Sequence, residues 1–165
     1  IMLRLHGMAD SKPDHDRELA PRGRRDAKAA GAWLHAQGLV PDLVICSTAQ
    51  RTRQTWEEAC RVGAQTEFVE FRRSVYLGGS EQTLETVRED SVETSTVRVL
   101  GHNPTMAQLT SELTDGEGSR EAHEALGQGF VTSGLAVLRY AGEWADLDLS
   151  TCELTRFHVS RGDRD

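Results

Sequence analysis

Cysteines are few and scattered in this sequence. Cys46, Cys60 and Cys152 make an odd count, and no two stand at the C-x-x-C spacing of a zinc or redox pair. That argues against a disulfide framework and for a reducing compartment, with the cytoplasm as the expected location. No apolar run approaches the roughly 20 residues that a membrane-crossing helix needs. No secretory leader pattern is visible, because the chain opens directly on a short apolar stretch. The first residue is Ile1, so a few residues are expected to precede it. Positive charge is also scarce: 19 Lys and Arg face 26 Asp and Glu, a net charge of −7. A nucleic-acid partner is therefore not expected, since a duplex needs a basic face. Any anion site must be a local positive spot in a negative field. Internal repeats and low-complexity tracts are absent.

What is present is an ordinary globular composition. A chain of 165 residues, 38% hydrophobic and 27% charged, suits one domain over residues 1–165 with its own core. Apolar runs and helical periodicities alternate along it. Residues 1–5 form a short apolar run ending at His6 and Gly7, which predicts a buried strand. Residues 8–20 are polar and carry Pro13, as a loop would. Pro21 can open a helix and Gly38 can close it, with Ala27, Ala30, Gly31 and Leu34 on one face. Leu43, Val44, Ile45 and Cys46 read as a second strand, with Ser47 as the N-cap of a helix through Trp56, Ala59 and Cys60. Residues 67–71 alternate as a weaker strand. Gly78 and Gly79 mark a loop before a Ser80-capped helix carrying Leu84 and Val87. Residues 96–100 are a third strong strand, followed by a helix through Met106, Leu109 and Leu113. A break is expected at residues 116–118. Residues 135–138 and 144–154 read as closing strands joined by a turn at Ala141 and Gly142. This alternation predicts an α/β three-layer sandwich: a mostly parallel central sheet, helices on both faces, the closing pair antiparallel.

Three polar clusters stand just past predicted strands: His6-Gly7; Ser47 with Arg51, Gln54 and Thr55; and Gly101-His102-Asn103-Pro104. In a parallel sheet they converge on the rim at the strands' carboxyl ends, where ligands bind. Two imidazoles and a guanidinium on one rim suit phosphoryl transfer. A neutral imidazole can take a phosphoryl group as an in-line nucleophile. An arginine fork pairs with phosphate oxygens. A second imidazole can donate to the equatorial oxygens as charge shifts. Backbone N–H groups at the helix start near Ser47 add to anion binding. His15, His35, His123 and His158 are expected at the surface. The basic run of Arg22, Arg24 and Arg25 reads as a solvated helical turn, and Trp33, Trp56 and Trp144 as core or interface anchors.

These residues also carry a resemblance. Leu5-His6-Gly7 resembles the R-H-G motif of the histidine phosphatase (phosphoglycerate-mutase-like) superfamily. The segment from Ser47 to Thr55 resembles its S-x-x-x-R-x-x-Q-T stretch, and Gly101-His102-Asn103 its late G-H-N motif. Leu19-Ala20-Pro21-Arg22-Gly23 and Thr132-Ser133-Gly134 are most similar to the small SixA-type phosphohistidine phosphatases. The resemblance implies that His6 is the phosphorylated nucleophile and that Arg51 and His102 bind the phosphate. Gly7, Ser47 and Asn103 are implied as substrate-binding or pocket-shaping residues, and Arg4 joins them on its own position, two residues before His6 on the expected strand. It implies no metal and no organic cofactor. The expected substrate is phosphohistidine on a protein, with a small phosphate ester as the alternative. No general acid is assigned; Glu81, after the Gly78-Gly79 loop, is the weak candidate.

The sequence departs from the pattern at two points: Leu5 stands where the family has arginine, and Met8 where close relatives often have lysine. Losing one pocket donor costs about 3–4 kcal/mol of transition-state stabilisation. Arg4 falls on the same strand face as His6 and can restore the charge. Reduced turnover, compensation by Arg4, and an exchange of neighbouring residues in the sequence all stay open, as does a module that binds phosphorylated partners without releasing phosphate.

Overall fold

The computed structural model describes residues 13–66 and 68–163. The strand expected over residues 1–5 lies outside them, together with Arg4, Leu5, His6 and Gly7.

The first helix, α1 (Pro21–Ala36), begins at the proline, whose fixed φ and missing N–H cost nothing there. The chain leaves it through Gly38 at φ +67, the left-handed conformation that glycine adopts freely. Its small-residue face is buried as expected. A Cβ on Gly31 would collide with the backbone of Ala59. So α1 crosses α2 (Gln50–Cys60) almost backbone to backbone, and only glycine fits the crossing.

Between them runs β1 (Leu43–Ser47), buried along its whole length. It lies parallel to β2 (Val69–Arg72) on one side and to β3 (Val97–Leu100) on the other. Successive side chains point to opposite faces of a strand. Val44 and Cys46 pack with Trp56, Ala59 and Leu100. Leu43 and Ile45 pack with Leu84 and Val87 of α4 (Ser80–Asp90) and Leu109 of α5 (Thr105–Leu113). Helices therefore cover both faces, giving the expected layers. Each fully buried aliphatic such as Ile45 contributes roughly 1.5–3 kcal/mol.

The remaining strands form a second three-stranded sheet, ordered β4 (Thr114–Gly118), β6 (Cys152–Val159), β5 (Gly134–Arg139). β4 is parallel to β6, and the closing pair β5–β6 is antiparallel, as expected.

Several local expectations are corrected. The break at residues 116–118 is β4, an irregular strand in which Gly118, at φ +105, meets the carbonyl of Leu154 where a Cβ would sit. Residues 144–154 are not one strand: a 3-10 turn spans Trp144–Asp146, and pairing begins only at Cys152. Two helices go beyond the sequence reading, the single-turn α3 (Arg73–Leu77) and α6 (Arg120–Gly127), the latter capped by Ser119. Ser47 is not an N-cap. It is the last residue of β1, and α2 starts at Gln50 with Ala49 in the capping position.

Candidate active site

Parallel pairing puts the carboxyl ends of β2, β1 and β3 on one edge. β1 delivers Ser47 and, one helical turn later, Arg51. β3 delivers Gly101 and His102. β2 runs directly into α3, which carries Tyr76.

Ser47 is fully buried. Its Oγ accepts from the Ala49 N–H at 3.2 Å, a local bond that turns the chain from strand into helix. His102 Nε2 lies 2.7 Å from the same Oγ. Arg51 Nη2 lies 3.3 Å from His102 Nδ1. A guanidinium nitrogen can only donate, so Nδ1 accepts, and the ring proton sits on Nε2, facing Ser47. Both ring nitrogens are thereby oriented from below.

Arg51 is held from a second direction. Its Nη1 donates to the Asp14 carbonyl at 2.8 Å and its Nη2 to Asp14 Oδ2 at 3.2 Å. Asp14 opens a 3-10 turn, Asp14–Asp16. Its Oδ2 also accepts from the Tyr76 hydroxyl at 2.8 Å. Tyr76 sets its ring edge-on to His102, with centroids 5.7 Å apart, and to His15 at 4.9 Å. His15 Nε2 is 3.0 Å from Thr48 Oγ1. Partial burial works to raise the Asp14 pKa, but the Tyr76 hydrogen bond and the Arg51 and Arg17 charges outweigh it and hold the carboxyl below its usual 3.8. Burial and the facing Asp14 carboxylate push the Tyr76 phenol above 10. Burial drives the Cys46 thiol up to about 12, so this cysteine is no nucleophile at neutral pH.

Ser47, Arg51 and His102 thus converge. Asn103 lies beside them, but its amide is committed to the loop: Nδ2 donates to the Phe130 carbonyl at 2.7 Å, and Oδ1 accepts from the Ala107 N–H at 3.3 Å. Gln54 Oε1 accepts from the Leu19 N–H at 2.6 Å and ties the Asp14 segment to α2. Ser133 donates to the buried Asp26 at 3.2 Å, joining β5 to α1. Glu81 is exposed in the first turn of α4. His6, Arg4 and Gly7 lie outside the described residues. Asp14, His15 and Tyr76 were not singled out by the sequence reading, which placed His15 on the surface away from partners. The available signal for Tyr76 was its position just past a strand end, the same signal that found Ser47 and His102. Among the described residues no group of three His, Cys, Asp or Glu is arranged to hold a metal, and no helix is long and apolar enough to cross a membrane.

The fold is shared with known proteins. The model of the histidine phosphatase superfamily (branch 1) matches residues 3–97. An uncharacterized protein of Mycobacterium tuberculosis is 39% identical over 153 residues, spanning 92% of this chain and 94% of that one. Among solved structures, a candidate phosphohistidine phosphatase SixA from Nakamurella multipartitia superposes with a TM-score of 0.83 at 36% identity, covering 97% of this chain and 93% of that one. A second, from Agrobacterium tumefaciens, gives 0.76 at 29% identity, with 95% and 94% covered.

Proposed function

The chain belongs to the histidine phosphatase superfamily, branch 1, and we propose that it hydrolyses phosphohistidine on a protein through a phosphorylated intermediate at His6. In this scheme a ring nitrogen of His6 attacks phosphorus in line. The bond between phosphorus and the substrate ring breaks, and its electron pair leaves on that ring. Water then hydrolyses phospho-His6 and frees phosphate. When phosphate binds, the Arg51 fork turns from the His102 ring to two phosphate oxygens, and the freed His102 Nδ1, once protonated, donates to a third, stabilising charge as it spreads over them. Ser47 fixes the direction of the His102 ring. Leu5 leaves this pocket one guanidinium short of the family pattern, and Arg4 is the residue placed by sequence to replace it.

The observation that carries the reading is the Ser47–His102–Arg51 chain of contacts, 2.7 and 3.3 Å long, at the carboxyl edge of three parallel strands. The likeness to two structures described as phosphohistidine phosphatases favours this substrate over a small ester. The test is phosphate release from a protein radiolabelled on histidine. Release should vanish in His6→Ala and fall about a hundredfold in Arg51→Ala. Faster turnover of a sugar phosphate than of the phosphohistidine protein would overturn the substrate assignment. Tight binding without release, the outcome that Leu5 makes worth measuring, would make this a binding module.

A further inference from the structure

Asp14 stands between the phosphate-binding side chains and solvent, and the scheme above gives it no part. Ser47 is fully buried, the Arg51 side chain is 12% exposed and the Asp14 side chain is 54% exposed. In the phosphohistidine reading, a phosphoryl group held by Arg51 and His102 sits inward of Asp14. The same reading brings the group it departs from, carried on a protein, to the depth of Asp14. The carboxylate is firmly aimed: Oδ2 is shared by the Tyr76 hydroxyl and Arg51 Nη2, and Oδ1 lies 3.5 Å from Arg17 Nη1.

Resting on the phosphohistidine reading, we propose that Asp14 selects the leaving group, accepting a hydrogen bond from the second ring nitrogen of the substrate imidazole. A phosphorylated imidazole can carry a proton on that second nitrogen and becomes a cation. A carboxylate beside the N–H stabilises the cation. When the bond to phosphorus breaks, its electron pair returns to the ring, and a neutral imidazole departs still holding the same proton. No acid need supply one. A phosphate monoester leaves as an alkoxide, which needs a proton. An ionised Asp14 has none to give, and its charge opposes the one developing on oxygen. The same side chain therefore favours a phosphoramidate and disfavours an ester. The edges of Tyr76 and His15, 4.9 Å apart between centroids, offer flat aromatic neighbours for the departing ring.

Among the described residues, the groups facing Asp14 are Arg51 from α2, Tyr76 from α3, and Arg17, His15 and Asp16 from its own segment. Arg51 keeps a separate anchor, the bond from Nη1 to the Asp14 backbone carbonyl, which survives replacement of the side chain. The test compares kcat/KM for a phosphohistidine protein and for p-nitrophenyl phosphate in the parent and in Asp14→Asn. The ratio of the first to the second should fall roughly thirtyfold in the variant, the worth of one hydrogen bond to a charged group. The alkaline limb of the phosphohistidine profile should also move to lower pH, because the ring N–H loses its anionic partner. Tyr76→Phe should shift the ratio in the same direction by less. Equal losses on both substrates, or an unmoved alkaline limb, overturn the assignment while leaving the phosphohistidine reading intact. A parent protein that releases no phosphate from phosphohistidine overturns both.

Discussion

The Ser47 hydroxyl and the His102 ring, 55 positions apart in sequence, meet at 2.7 Å. One lies at the end of β1 and the other just past β3, so the contact exists only because the two strands pair in register, Cys46 opposite Leu100. Removing the hydroxyl in Ser47→Ala leaves the ring N–H without its acceptor, at a cost of about 1–2 kcal/mol, and frees the ring to turn. Activity should fall about ten- to a hundredfold, mainly in kcat. Steady-state kinetics and thermal melts check both effects, and a variant as active as its parent would remove Ser47 from the site.

Leu5 offers a gain-of-function test. Leu5→Arg restores the motif guanidinium and should raise turnover about tenfold or more, since a single pocket donor contributes about 3–4 kcal/mol to the transition state. An unchanged rate would mean that the charge is already supplied, and Arg4→Met would then show whether Arg4 supplies it.

Arg98 is a charge inside the core. It is 3% exposed, with Nη2 donating to the Leu39 carbonyl at 2.7 Å and its guanidinium over the Trp56 ring at 5.6 Å. Among the described residues Nε and Nη1 have no hydrogen-bond partner, and desolvation lowers the pKa to about 10. Replacing such a group with an apolar side chain of similar length is often neutral or stabilising. Arg98→Met should melt at the same temperature as the parent or higher. A loss above about 2 kcal/mol in denaturant titration would mean that the Leu39 contact and the Trp56 stacking outweigh the burial of the charge.

His158 gives a pH dependence with a definite sign. Its ring stacks flat on Trp33, with centroids 4.4 Å apart and planes at 2°. Burial lowers its pKa below 6.5. The unfolded chain therefore binds the proton more readily than the folded one. Stability is unaffected above about pH 6.5 and declines as pH drops through the folded-state value. Melting curves between about pH 7 and 5 should show that decline, and His158→Phe should flatten it. An equal slope in the variant would assign the effect elsewhere.

The layers of this fold were legible because their signals are strong and local. A four-residue apolar run such as Leu43 to Cys46 has few alternatives to a buried strand, and Pro21 and Gly38 bracket a helix by backbone chemistry alone. The failures share a physical cause. β4 is held by backbone pairing with β6 around Gly118, and a glycine strand has no side-chain pattern to read. α3 is one turn long, too short to show a period. Ser47 was read as a cap because serine so often caps, whereas its hydroxyl serves a turn and a distant ring. The histidine and tyrosine at the mouth were missed for a related reason. His15 and Tyr76 meet through the fold of a loop and a single helical turn, and neither leaves a periodic trace. The role of His6 was read from its motif, and it lies outside the described residues.

Because β1 is enclosed on both faces, its position along the sheet admits no half-measures. A slip by one residue would exchange the sides occupied by Ile45 and Cys46, forcing a large aliphatic group into the space of a small thiol. It would also swing the terminal hydroxyl away from its imidazole. The volumes of four apolar side chains thus act as the alignment key of the chemistry. Changes that keep those volumes should spare the pocket, and a repacking that lets the strand shift should disarm it without touching any polar residue.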